Sequence, residues 1–114
     1  MSIEELQERI RRFRDERDWM QFHNHKDMAT ALAIEAAELQ ELFLWKQGEE
    51  INAVATTKKE QLREELADVA VYLLELADNL GIDLADAIVC KLEKNCAKYP
   101  VHKAKGSNAK YDEL

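Results

Sequence analysis

Glycine and proline are nearly missing from this sequence, with three Gly and one Pro in 114 residues. Such scarcity excludes a turn-rich β-sandwich or barrel. Cysteine is scarce too: Cys90 and Cys96 stand six apart on an expected helix, aim to different sides, and form no CxxC. They read as reduced, partly buried thiols of a cytoplasmic protein. Long apolar runs are absent. Uncharged stretches such as Met28 to Ile34 reach only seven residues, against the roughly 18 that span a membrane. The start, Met1-Ser2-Ile3-Glu4-Glu5, lacks the basic and apolar regions of a secretory leader. Excess positive charge is missing as well, with 16 Lys plus Arg against 23 Asp plus Glu and a net charge of −7. That excludes sequence-independent binding to bulk nucleic acid, which needs a basic surface. It leaves room for a phosphorylated small molecule, provided that metal ions intervene.

What is present is helix. The chain is 46% apolar, enough for a core, and its length suits one domain. Ser2 followed by Glu5 is a capping-box signal, and Ile3, Leu6, Ile10 and Phe13 recur at helical spacing as far as Asp18 or Trp19. Residues Trp19 to Lys26 have no clean period and read as a loop. A second helix is expected from Asp27 to Gln47, stopped by Gly48, with Glu49 to Thr56 as a connection. Thr57 with Glu60 opens a third helix that ends at Gly81, and Asp83 caps a fourth that reaches Lys98. The expected architecture is all-α, a four-helix core over residues 1–100 with an extended tail at 101–114.

The third helix carries six consecutive apolar or aromatic residues, Val69 to Leu74, which point all around its axis. Three neighbours from so short a chain would hardly cover every face, so an oligomer is expected.

Two acidic pairs border apolar stripes. Glu35 and Glu38 share a face with Ala31, Leu39 and Leu42; Glu65 and Asp68 share one with Tyr72 and Leu76. A single ExxE is common on a solvated helix. Two such pairs on core-facing sides of neighbouring helices would gather four carboxylates, which is untenable without added positive charge. Oxygen-only ligands suit Mg²⁺, with Mn²⁺ as a substitute. A di-iron bundle needs Glu-x-x-His, and no Glu here has a His three residues later. Zinc lacks partners for His23 and His25.

Lys91 and Asn95 lie one turn apart on the fourth helix and suit phosphate oxygens. Residues 85–114 carry a local charge of +2 and residues 1–84 carry −9. Lys91 and Lys94 equally fit the preference of cations for a helix C-terminal half. Trp19 and Trp45 flank the first acidic helix, where aromatic faces would sandwich a nucleobase, although a Trp is more often core. His23 would hydrogen-bond a base or phosphate, or cap a loop.

Glu35-x-x-Glu38, 26 intervening residues and Glu65-x-x-Asp68 resemble the signature of the MazG-like all-α nucleoside triphosphate pyrophosphohydrolases. The resemblance is closest to their dCTP pyrophosphatase branch. It runs through Glu16 to His23, Glu41 to Trp45, Glu64 to Tyr72, Lys91-x-x-x-Asn95-x-x-Lys98-Tyr99-Pro100-Val101-His102 and Lys110 to Leu114, nearly the whole chain. It implies hydrolysis of a deoxynucleoside triphosphate to monophosphate and pyrophosphate, for cleansing the nucleotide pool. It implies a tetramer built as a dimer of dimers, and Mg²⁺ on Glu35, Glu38, Glu65 and Asp68. It also implies a nucleoside pocket of Trp19, Gln21, Phe22, His23, Trp45 and Tyr72. One position departs: Ile10 stands where animal members place a His, nine residues before the pocket Trp. Glu38 is the expected general base for the attacking water. The competing reading is a non-catalytic helical oligomerisation or nucleotide-sensing module with solvated acidic faces.

Overall fold

The computed structural model describes residues 1–114, and it contains helices and turns but no strand. Helix α1 spans Ile3–Glu16, α2 His25–Glu41, α3 Glu49–Thr57, α4 Lys59–Asn79, α5 Leu84–Lys98 and α6 Val101–Ala104. The four long helices are the ones expected from periodicity. The two short ones, with 3₁₀ turns at Met20–Phe22 and Tyr111–Glu113, were not.

Caps explain several boundaries. Ser2 Oγ accepts from Glu5 N–H at 3.1 Å, and Asp83 Oδ1 accepts from Asp86 N–H at 3.0 Å, as the sequence signals required. Asn24 Oδ1 accepts from Asp27 N–H at 2.9 Å, so α2 starts at His25, earlier than expected. Helix α2 also stops early. Phe43 and Leu44 bond three residues back, to Gln40 and Glu41, and Trp45 turns left-handed at φ 65°, a costly state for a bulky residue. Gly48 directly precedes α3 and does not terminate α2; its φ of 55° with ψ of −129° is open to glycine alone. The expected connection is helical because Glu49 and Glu50 sit in its first turn and complement the dipole. Thr57 does not cap the next helix: its hydroxyl donates back to Ala53 C=O at 3.0 Å and closes α3.

The structure divides into two units, Met1–Gly81 and Ile82–Leu114. In the first, α4 is the centre: α2, α1 and α3 all pack against it. Buried hydrophobic residues are few, namely Met28, Val54 and Ala77. Large apolar side chains such as Ile34, Leu66, Val71 and Leu73 stay exposed, so a single chain leaves α4 only partly covered. In the second unit, Tyr99 and Tyr111 meet edge to face at 6.1 Å, and Lys98 Nζ lies 4.8 Å from the Tyr111 ring centroid. The tail is therefore partly helical and folds back against the end of α5, where an extended segment was expected. Cys90 and Cys96 are unpaired, as expected, but exposed and not partly buried. No helix is long and apolar enough to cross a membrane.

Candidate active site

Packing α2 on α4 brings acidic side chains from both helices together. One carboxylate oxygen from each of Glu35, Glu38 and Glu65 lies within 4.8 Å of the others. Two oxygens of this cluster, Glu35 Oε2 and Glu65 Oε2, are buried and have no hydrogen-bond partner. A buried acceptor without a donor is costly, so the arrangement suits an added cation. Burial, then the approach of Glu38 and the charges of Asp68 and Glu65, raise the Glu35 carboxyl from 4.5 to about 7. Glu65 is raised too, first by desolvation and next by Glu38. Burial and mutual repulsion both disfavour the ionised forms here, and a bound cation would offset both.

Asp68 is not in the group of three. It lies close enough for its charge to bear on Glu35 and Glu65, and it lines a cavity of about 670 Å³ between α1 and α4. Trp19, His23 and Tyr72 border the same cavity, with apolar walls from Leu6, Ile10 and Phe13. Trp19 is steadied by an edge contact to Phe13, ring centroids 5.6 Å apart. Its ring centroid is 6.4 Å from that of His23. The Tyr72 hydroxyl is raised by burial and then by Glu35 and Asp68, which places it in the field of the acidic group. The volume lies within the range of small-molecule sites.

Against known proteins, residues 30–114 match the MazG-like family. The chain is 41% identical to dCTP pyrophosphatase 1 of Bos taurus over 99% of its length and 68% of that protein. Against the Homo sapiens protein of the same name the identity is 39% over the same shares. The chain belongs to the MazG-like family. A crystal structure of a pyrophosphatase from Archaeoglobus fulgidus has the same fold, with a TM-score of 0.83 and 43% identity over 85% of this chain and 91% of that one. These relatives place the chain in the dCTP pyrophosphatase branch of MazG-like proteins and support the enzyme class expected from the sequence, a nucleoside triphosphate pyrophosphohydrolase.

The remaining residues expected at the site are distributed differently. Gln21 does not line the cavity; its amide donates to the Asp18 backbone at 2.9 Å and the Asp18 carboxylate at 3.1 Å. Phe22 and Trp45 are also off the cavity, and Trp45 is 86% exposed. Lys91 is an exposed cation and Asn95 a half-buried amide on α5, within the second unit. Arg14, Glu75 and Asn79, which are not among the residues expected at the site, meet beside His23. A signal existed: Asp68, Tyr72, Glu75 and Asn79 recur at helical spacing on one face of α4.

Proposed function

We propose that this protein hydrolyses a deoxynucleoside triphosphate, dCTP or a modified dCTP, to the monophosphate and pyrophosphate. The observation that carries the reading is the Glu35–Glu38–Glu65 cluster, with two buried carboxylate oxygens lacking donors, next to an aromatic cavity that Asp68 and Tyr72 border. The donor set fits the hard cation that the family's chemistry calls for. Glu35, Glu38, Glu65 and Asp68 hold Mg²⁺, or Mn²⁺ in its place. When bound, the ion offsets the repulsion between carboxylates and triphosphate and lowers the pKa of the attacking water.

The chain's own groups do the rest. Glu38 takes the water's proton as the oxygen attacks the α-phosphorus. The bond from that phosphorus to its bridging oxygen breaks, and pyrophosphate carries away the electron pair. Trp19 and Tyr72 hold the nucleoside, and the low-polarity walls beside them exclude water from it. Gln21, Phe22 and Trp45 contact the nucleoside with the help of a second copy of the chain, and Lys91 and Asn95 meet phosphate oxygens. We read residues 1–100 as the catalytic region and 101–114 as its tail. The enzyme is a cytoplasmic homo-oligomer, a tetramer built as a dimer of dimers. The exposed apolar residues of α2 and α4, Ile34, Leu66, Val71 and Leu73, support that assembly.

Hydrolysis in ¹⁸O-labelled water tests the point of attack. The label should appear in the monophosphate alone. Label in pyrophosphate, or release of orthophosphate as the first product, would overturn attack at the α-phosphorus.

A further inference from the structure

One buried carboxylate on α4 takes no part in the acidic cluster. Glu75 is 3% exposed. Its Oε2 lies 2.8 Å from His23 Nδ1 and 3.1 Å from Asn79 Nδ2. An Arg14 guanidinium nitrogen stands 3.8 Å from the same oxygen. Arg14 is itself buried, and it donates to Asn79 Oδ1 at 3.1 Å and to Asp15 Oδ1 at 2.8 Å. This is a closed network, in which the buried charge has the partners that burial demands. Glu75 therefore differs in kind from Glu35 and Glu65, whose buried oxygens have no partner. It is not poised to take a cation.

The chemistry of the pair fixes the imidazole. An ionised carboxylate only accepts, so the proton between it and His23 sits on Nδ1 in either charge state of the ring. The second ring nitrogen, Nε2, makes no hydrogen bond within the chain. His23 borders the cavity, so Nε2 is the ring atom left for a ligand there. Without Glu75 the ring would be free to rotate and to exchange tautomers, and the same atom would present a donor at one moment and an acceptor at another. We infer that Glu75, backed by Arg14 and Asn79, is a positioning residue that locks His23 with Nε2 committed to the bound nucleotide. The inference rests on the nucleotide reading of the cavity, but its first test does not.

That first test is a nitrogen–proton correlation spectrum of the ¹⁵N-labelled histidine rings in the full chain without nucleotide, recorded at alkaline pH. His23 should be protonated at Nδ1, assigned by its loss in His23→Ala. Glu75→Leu should release it to the Nε2–H form that free histidine favours. A wild-type His23 protonated at Nε2 would overturn the lock whatever the substrate. The second test is kinetic, and it uses the isosteric Glu75→Gln in case the leucine variant does not fold. Glu75→Gln should raise KM for dCTP about tenfold, the value of one charge-assisted hydrogen bond, with kcat changed by less than about twofold. In a His23→Ala background the same change should move KM by less than about twofold, because residues that act through one another are not additive. Equal and additive losses in both backgrounds would make Glu75 a purely structural residue and overturn the inference. If the wild type hydrolyses no nucleotide, the substrate reading fails, and the ring spectrum still decides the lock.

Discussion

Replacing Glu35 by Gln should stabilise the metal-free protein above neutral pH while destroying its response to Mg²⁺. Glu35 is held from 4.5 to about 7 by burial and by Glu38, Asp68 and Glu65. Below pH 4.5 the group is protonated in both folded and unfolded chains. Between 4.5 and about 7 the unfolded chain loses the proton first, so it binds fewer protons than the folded one and stability falls as pH rises. At about 1.36 kcal/mol per pH unit the ceiling is about 3 kcal/mol. Glu35 is half-exposed as a residue, and solvent screening brings the figure to about 1–2 kcal/mol. Glutamine keeps the shape and carries no charge to expel. Melts in EDTA at pH 8.5 should therefore show Glu35→Gln higher than wild type by roughly 4–10 °C. At about pH 5, close to where the unfolded group titrates, the two should nearly coincide. With excess Mg²⁺ the order reverses, since a ligand at about 100 times its Kd adds about 2.7 kcal/mol to the protein that binds it. A variant that melts at or below wild type at pH 8.5 in EDTA, or gains as much from Mg²⁺, would refute the reasoning.

Three further outcomes follow from the same geometry. Arg14→Leu leaves Glu75 buried without its cation and should cost about 3–5 kcal/mol, read as a fall in the urea midpoint; a change below about 1 kcal/mol would show that the network carries no stability. Trp19→Ala removes an aromatic wall of the cavity and should raise KM for a nucleotide by roughly 10-fold or more with little effect on Mg²⁺-dependent melting, since stacking is worth about 1–3 kcal/mol per base; loss of the Mg²⁺ response instead would place Trp19 at the cation site. Sedimentation velocity should give a mass well above 13.2 kDa, because so few apolar side chains are buried within one chain; a stable monomer at micromolar concentration would contradict the oligomer.

Fold class was legible because it rests on local signals. Helical periodicity, the caps Ser2 and Asp83, and the stop at Gly81 act within a turn or two and survive in the structure. Gly48 and Thr57 were misleading because each signal has two physical uses. A glycine with positive φ can end a helix or precede one, and a threonine hydroxyl can cap forward or bond back to the previous turn. The short helix Glu49–Thr57 escaped notice because Ile51, Val54, Thr56 and Thr57 are weak helix formers. At the site, the acidic cluster was readable because carboxylates three apart share a face and only α2–α4 packing was needed to join them. The network of Arg14, Glu75 and Asn79 joins residues some sixty positions apart, so the shared face of Glu75 and Asn79 on α4 is legible in the sequence but their pairing with Arg14 is not. Trp45 beside the acidic helix and Lys91 and Asn95 one turn apart on α5 are placed by proximity and spacing along the sequence, which do not say what a side chain faces, and the cavity of the first unit includes none of them.

The central claim is metal-assisted cleavage of a nucleoside triphosphate at the α-phosphorus. A panel of dNTPs and NTPs, incubated with Mg²⁺ and with EDTA and scored for pyrophosphate, tests it most directly. The account predicts pyrophosphate from deoxynucleoside triphosphates, greatest with dCTP or its modified forms, abolished by EDTA and by Glu35→Gln. Flat release across the panel, or release that survives EDTA, would contradict it.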